Sequence, residues 1–157
     1  MPPDSLGVTV KVRDLKKRDI EIASSICRKA FTTFVAPGLS SEGVEAFNKI
    51  SSIGGFLHRM KAGNSILVCE EQRKIVGIVE LKEGRHLAML FVHPDHQKRG
   101  VGRVLISAIL PYVTENTLTV SASLNSVPAY LKYGFTCSGV PEEKLGLKYQ
   151  PMELKIK

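Results

Sequence analysis

The stretch Leu87 to Val92 is apolar at every position and shows none of the alternation expected of a strand with one wet face. A run this short and uniform predicts a strand covered on both faces, ended by Pro94, because proline cannot donate to a sheet ladder. Beyond the turn His93-Pro94-Asp95-His96 come Gln97, Lys98, Arg99, Gly100, Val101, Gly102 and Arg103, which open an apolar periodic segment from Val104 to Leu110. The order is strand, turn, glycine loop, helix. Two glycines around Val101 let successive N–H groups converge, the helix start adds unpaired donors, and Lys98, Arg99 and Arg103 add positive charge. Such a concavity suits a phosphate or pyrophosphate. A Gly-x-Gly alone is a weak signal, and this loop lacks the third glycine of a dinucleotide fingerprint and the Gly-Lys-Ser/Thr of a nucleoside-triphosphate loop.

The surrounding chain alternates between two periods. Val8 to Arg13 places Val8, Val10 and Val12 against Thr9, Lys11 and Arg13, a strand with one solvated face. From Asp19 the apolar positions Ile22, Ile26, Ala30, Phe31 and Phe34 recur at helical spacing, so a helix runs to about Val35 and stops at Pro37-Gly38. Ser40 or Ser41 caps a second helical region carrying Val44, Phe47, Ile50, Phe56, Leu57 and Met60, interrupted near Gly54-Gly55 and closed at Gly63-Asn64. Ser65 to Glu70 and Lys74 to Leu81 form a hairpin around Glu71-Gln72-Arg73, and Glu83-Gly84-Arg85 turns into the strand His86 to Val92. A helix over Val101 to Val113, a strand over Thr117 to Ala122, a short helix over Ser126 to Tyr133, and strands over Phe135 to Val140 and Lys148 to Lys155 complete a β-α-α-β-β-β-α-β-α-β-β order. Strands joined through the Val101 helix should be parallel neighbours.

A chain of 157 residues with 43% hydrophobic content fills one core, so residues 1–157 are expected to form a single domain. The start Met1-Pro-Pro-Asp-Ser lacks a secretory pattern, and no apolar stretch approaches the roughly 20 residues that cross a bilayer, which predicts a soluble, cytoplasmic protein without a membrane partner. Cys27, Cys69 and Cys137 lie far apart in apolar neighbourhoods and read as small core residues rather than a disulfide or zinc framework. His93 and His96 have ligand-like spacing but no further ligands nearby, so no metal is expected. The net charge of +7 favours a polyanionic partner, and a phosphorylated cofactor meets that bias as well as nucleic acid does.

Gln97-Lys-Arg-Gly100-Val-Gly102 resembles the Gln/Arg-x-x-Gly-x-Gly/Ala signature of the GNAT acyl-CoA N-acyltransferases. Asn125-Ser-Val-Pro-Ala-Tyr130-Leu-Lys-Tyr-Gly134-Phe135 is similar to that family's second signature, an Asn followed by Ala-Tyr and then Gly-Phe. The separation of the two blocks, by a helix and a strand, is also the family's. The resemblance implies an α/β fold with a mixed, mostly antiparallel sheet of about seven strands, splayed between strands 4 and 5 and flanked by helices. It also implies acetyl-CoA as co-substrate, without a metal. The pyrophosphate would lie on the N–H groups of Gln97 to Arg103, including Lys98, Arg99, Gly100, Val101 and Gly102. Pantetheine would lie in the splay against Leu90, Phe91 and Val92, with the N–H near Leu90 polarising the thioester carbonyl beside a strand bulge. Asn125 would contact the pantetheine arm, while Ala129, Tyr130 and Lys132 line the far wall.

By position, Tyr130 matches the tyrosine that protonates or hydrogen-bonds the departing thiolate, with Tyr133 as the fallback. The proton of the attacking amine has three candidate destinations. His86 sits where some family members carry a strand glutamate, Glu80 lies on the preceding strand, and a water path needs no dedicated base. One or two of Phe31, Phe34, Phe47 and Phe56 would line the acceptor pocket.

The reading that follows is an N-acetyltransferase acting by direct attack of a primary amine, whether of a small metabolite, a peptide or a protein. Its alternative is a non-catalytic acyl-CoA-binding or regulatory module, which would need no Tyr130. A nucleic-acid-binding role is disfavoured, because the basic residues are scattered and no recognition motif is present. A homodimer is a further expectation, since the alternating Lys148 to Lys157 tail could pair with another chain's sheet edge.

Overall fold

In the computed structural model, which describes residues 10–156, the uniform apolar runs are explained by helices on both faces of one sheet. The strands are β1 (Val10–Asp14), β2 (Ser65–Glu71), β3 (Lys74–Lys82), β4 (His86–Val92), β5 (Thr117–Ser123), β6 (Thr136–Cys137), β7 (Glu142–Lys144) and β8 (Leu147–Lys155). The helices are α1 (Ile20–Phe34), α2 (Ser41–Ile50), α3 (Ile53–Lys61), α4 (Val101–Ile109) and α5 (Val127–Lys132). The sheet runs β1-β2-β3-β4-β5-β8-β6, with β7 also beside β8. Every pairing is antiparallel except β4 with β5.

Alternate residues of the central strands feed two cores. Leu67, Val79, Leu81 and Leu87 pack with Val101, Leu105, Ile106 and Ile109 of α4. Ile66, Val68, Ile78 and Met89 pack with Ile20, Ala23, Cys27 and Phe31 of α1, Phe47 of α2 and Phe56 of α3. Each such side chain contributes about 1.5–3 kcal/mol when fully buried, so the two-sided cover is the main support of β2 to β4. Arg13 ties the first strand to the start of α1. Its guanidinium donates to both carboxylate oxygens of Asp19, at 2.8 and 3.1 Å, and to Glu70 at 2.8 Å.

Several expectations change. The first strand is described over Val10–Asp14, and the Val8 and Thr9 expected at its start lie outside the described residues. The break in the second helical region falls at Ser51-Ser52 instead of Gly54-Gly55. Ser52 Oγ accepts from the Gly55 N–H at 3.0 Å, so both glycines sit inside the first turn of α3. The helix α4 stops at Ile109, and a 3-10 turn over Leu110–Tyr112 accommodates Pro111. Among the described residues the sheet has eight strands, in keeping with the expected seven or so, but the segment expected as one strand over Phe135 to Val140 shortens to Thr136–Cys137 and a further strand forms at Glu142–Lys144. Within that short strand Cys137 is exposed and not a core residue, whereas Cys27 and Cys69 are buried. The C-terminal strand is not a free edge. β8 is hydrogen-bonded to β5 on one side and, over part of its length, to β6 and β7 on the other, so much of the pairing open to this tail is made within the chain.

Candidate active site

Pairing between β4 and β5 is confined to two registers, His86↔Thr119 and Leu87↔Val120, among the described residues. Ala88, the next residue, is the extra member of a bulge, because Leu81 opposes Leu87 while Glu80 opposes Met89. Past the bulge the strands part, and the gap is lined by Leu90, Phe91 and Val92 on one side and by Ser123, Asn125, Ser126, Ala129, Tyr130 and Tyr133 on the other. Ala30, Phe34 and Val35 at the end of α1 form its roof, while Gln97 and Gly102 stand at its wide end. The sheet is therefore missing a strand's width of partners along Leu90 to Val92.

At the wide end the loop is shaped by left-handed residues. Gly100, at φ +83°, is the N-cap of α4 and brings no side-chain cap, which leaves the first-turn N–H groups of Val101, Gly102 and Arg103 available to an anion. Lys98 also has a positive φ, +61°, so the N–H groups around Arg99 turn in alternate directions. Gln97 folds back, its Nε2 donating to Val92 O at 2.8 Å, and so fixes the loop to the end of β4. The Tyr133 hydroxyl rests on Gly102, where a β-carbon would lie 2.3 Å from it, so only glycine leaves room for that contact. The guanidinium of Arg103 stacks 5.6 Å from the Tyr133 ring centroid and donates to Lys132 O at 3.3 Å.

The other candidates fall into distinct places. Tyr130 lines the gap, with its ring edge-on to Tyr133 and Phe135 at 5.8 and 5.3 Å. Burial, with Tyr133 beside it, pushes its phenol above the ordinary value, so it is a neutral donor at physiological pH. The Asn125 amide donates to Phe34 O, a strap between the end of β5 and the end of α1 across the gap. Lys98, Arg103 and Lys132 are exposed at the wide end, with Ala129 inside. The Arg99 guanidinium is paired with a buried carboxylate, Nη1 lying 3.3 Å from Glu71 Oε2.

His86 and Glu80 are not brought to the gap. The imidazole of His86 lies where β4 and β5 are still paired, Nδ1 2.8 Å from Thr119 Oγ1, and burial with Arg85 and Lys82 lowers its pKa. Glu80 is fully buried against α3, its Oε2 accepting from Arg59 Nε at 2.7 Å and from Asn64 Nδ2 at 2.8 Å. Of the four aromatics, only Phe34 lines the gap. Phe31 and Phe47 stack with centroids 3.9 Å apart, and Phe56 lies under the Arg59 guanidinium. Ala30, Val35, Ser123 and Ser126 line it without having been singled out; nothing in their spacing distinguishes them from ordinary helix-end and strand-end residues. Among the described residues no group of three or more His, Cys, Asp or Glu side chains could hold a metal, and no helix is long and apolar enough to cross a membrane.

A mixed sheet that opens between two parallel neighbours beside an uncapped helix start is the architecture of the GNAT fold. Residues 35–156 match the family described as the acetyltransferase (GNAT) domain, and the chain belongs to that family. The GCN5-related N-acetyltransferase structure from Rhodopseudomonas palustris superposes with a TM-score of 0.81 at 27% identity, covering 94% of this chain and 96% of that one. The uncharacterized N-acetyltransferase YafP of Escherichia coli (strain K12) is 25% identical over 153 residues, 90% of this chain and 97% of its own. The PaiA N-acetyltransferase of Thermoplasma acidophilum, solved in complex with coenzyme A, shares the fold at a TM-score of 0.73 and 19% identity, over 94% of this chain and 99% of that one.

Proposed function

We propose that this protein transfers an acetyl group from acetyl-CoA to a primary amine by direct attack, with the thioester held between β4 and β5. The observation that carries the reading is the early end of β4-β5 pairing at Leu87↔Val120, which leaves the Leu90 to Val92 backbone facing a gap that leads to the uncapped start of α4. These residues fit coenzyme A: the loop donors and exposed Lys98, Arg103 and Lys132 suit its phosphates, and the open strand edge suits its pantetheine amides. When bound, it supplies an activated acyl group and a thiolate leaving group.

The chain's own groups do the rest. The N–H near Leu90, beside the bulge, donates to the carbonyl oxygen as it gains charge. Tyr130, kept neutral by burial, protonates the sulfur as the carbon–sulfur bond breaks and the new carbon–nitrogen bond forms, and it regains a proton through the water that takes up the one lost by the amine. The amine enters neutral and gives up one proton to water in the gap, since one oxygen of Glu80 is committed to Arg59 and Asn64 and His86 lies within the paired segment, short of the gap. Phe34, Val35 and Ala30 form the apolar roof that limits water around the reacting atoms. The presence of Tyr130 on this wall favours an enzyme over a module that only binds acyl-CoA.

The test is continuous detection of free thiol from acetyl-CoA with a panel of amines covering amino acids, peptide N-termini, lysine peptides and polyamines. Acceptor-dependent thiol release, with the acetylated amine found by mass spectrometry, is the expected result. Tight coenzyme binding with no turnover on any acceptor would replace the enzyme with the binding module.

A further inference from the structure

We infer that Glu71 is a positioning residue that sets the shape of the phosphate loop through Arg99, an inference that rests on the coenzyme A reading above. Arg99 lies between the two left-handed residues Lys98 and Gly100, at φ +61° and +83°. A side-chain-bearing residue avoids that region, so Lys98 keeps it only if neighbours impose it. At the entrance to the loop, the His93 N–H donates to Val76 O and the Gln97 amide to Val92 O, each at 2.8 Å. In the middle, the tie is Arg99 Nη1 to Glu71 Oε2 at 3.3 Å, with His96 Nε2 3.7 Å from the same oxygen.

Glu71 is suited to this task. It is the last residue of β2, 8% exposed, and is paired on one side with Val10 and on the other with Lys74. Its charge is of the wrong sign to recruit phosphate, so its effect on an anion arrives through the loop it restrains. A restrained loop presents its N–H groups already converged, and the ligand then loses less affinity to ordering. The other carboxylate oxygen of Glu71 and Nδ1 of His96 are both buried without a hydrogen-bond partner among the described residues. The pair is therefore held by the Arg99 contact and packing, with little else to replace it.

The experiment compares the wild type, Glu71→Gln, Arg99→Ala and the double variant as full-length protein. Two measurements are made: calorimetric titration with coenzyme A, and the amide resonances of Lys98 to Gly102 without ligand. Losing this part-exposed ion pair should raise Kd for coenzyme A about fivefold at most in each single variant. The double variant should be no worse than the worse single one, since both changes remove the same contact. In the ligand-free spectra the loop amides should shift while those of Leu90 to Val92 stay in place. Unchanged or tighter coenzyme binding by Glu71→Gln, as expected if Arg99 were freed to meet the phosphates itself, overturns the inference, as do additive effects in the double variant. Should Glu71→Gln fail to fold, the loop amides of Arg99→Ala decide the matter, and unshifted resonances overturn it. Because those spectra need no ligand, they test the restraint separately from the functional reading, which would fall instead if the wild type bound no coenzyme A.

Discussion

Replacing Glu80 by alanine separates a structural carboxylate from a catalytic one. The carboxylate is 0% exposed and accepts from Arg59 and Asn64, while Arg59 also donates to Ile50 O at 2.8 Å. Removing one partner of a buried ion pair costs about 3–5 kcal/mol, since the other charge is left uncompensated. Arg59 is 19% exposed and keeps its Ile50 contact, so the low end, about 3 kcal/mol, is expected. For a domain of this size each kcal/mol lowers the melting midpoint by about 2–4 °C, which gives a fall of about 6–12 °C. Glu80→Gln preserves an acceptor for Arg59 and should lose less than half of that. Scanning calorimetry and initial rates below the melting range, on both variants, make the comparison. The expected outcome is a lower midpoint with kcat within a few-fold of the wild type. A loss of about 100-fold or more in Glu80→Gln with an unchanged midpoint would refute the structural assignment and make Glu80 the base.

Tyr130→Phe removes only the hydroxyl and should lower kcat on the order of 100-fold with little change in the midpoint. The wild-type rate should also show no fall from phenol ionisation below pH 10, because burial raises the Tyr130 pKa above its ordinary value. His86 has a folded pKa below the unfolded value of about 6.5, so the unfolded chain binds the extra proton in that interval and stability falls as pH drops through it. His86→Gln should flatten that acid-side loss, measured by urea unfolding at pH 7 and pH 5. Iodoacetamide should modify Cys137 alone in the native protein, as read by peptide mass spectrometry. Burial pushes the Cys27 thiol up to about 12 and that of Cys69 up to about 11, while Cys137 is exposed.

The elements legible in the sequence are those whose local pattern records what covers them. Leu87, Met89 and Val92 are buried because α1 and α4 lie on opposite faces of β4, whereas Ala88 is exposed at the bulge and Leu90 and Phe91 are half-buried at the gap. The spacing of Ile26, Ala30 and Phe31 reports α1 for the same reason. Features set by distant partners were not legible. Gly54-Gly55 looks like a break, yet Ser52 caps the helix that contains it. A C-terminal alternating strand reads alike whether it lies at an edge or, as β8 does, between β5 and β6. In the site, the loop's donors follow from Gly100 and Gly102, but the direction of Arg99 depends on Glu71, far away in sequence. Counting along β4 gives the strand position of His86 and leaves open on which side of the splay it falls; the Thr119 pairing decides that.

The parting of β4 from β5 gives the molecule an internal pair of sheet edges. Unpaired N–H and C=O groups along an edge normally invite another polypeptide to add a strand, and proteins shield them with charge, proline or a covering helix. Here the exposed length begins at the Ala88 bulge, lies under Phe34 and Val35, and is crossed by the Asn125 strap. The edges are thereby shielded by a bulge, a helix end and a side-chain strap. In Leu87 to Val92, which carries no gatekeeper charge, that cover stands where other exposed edges place charge or proline.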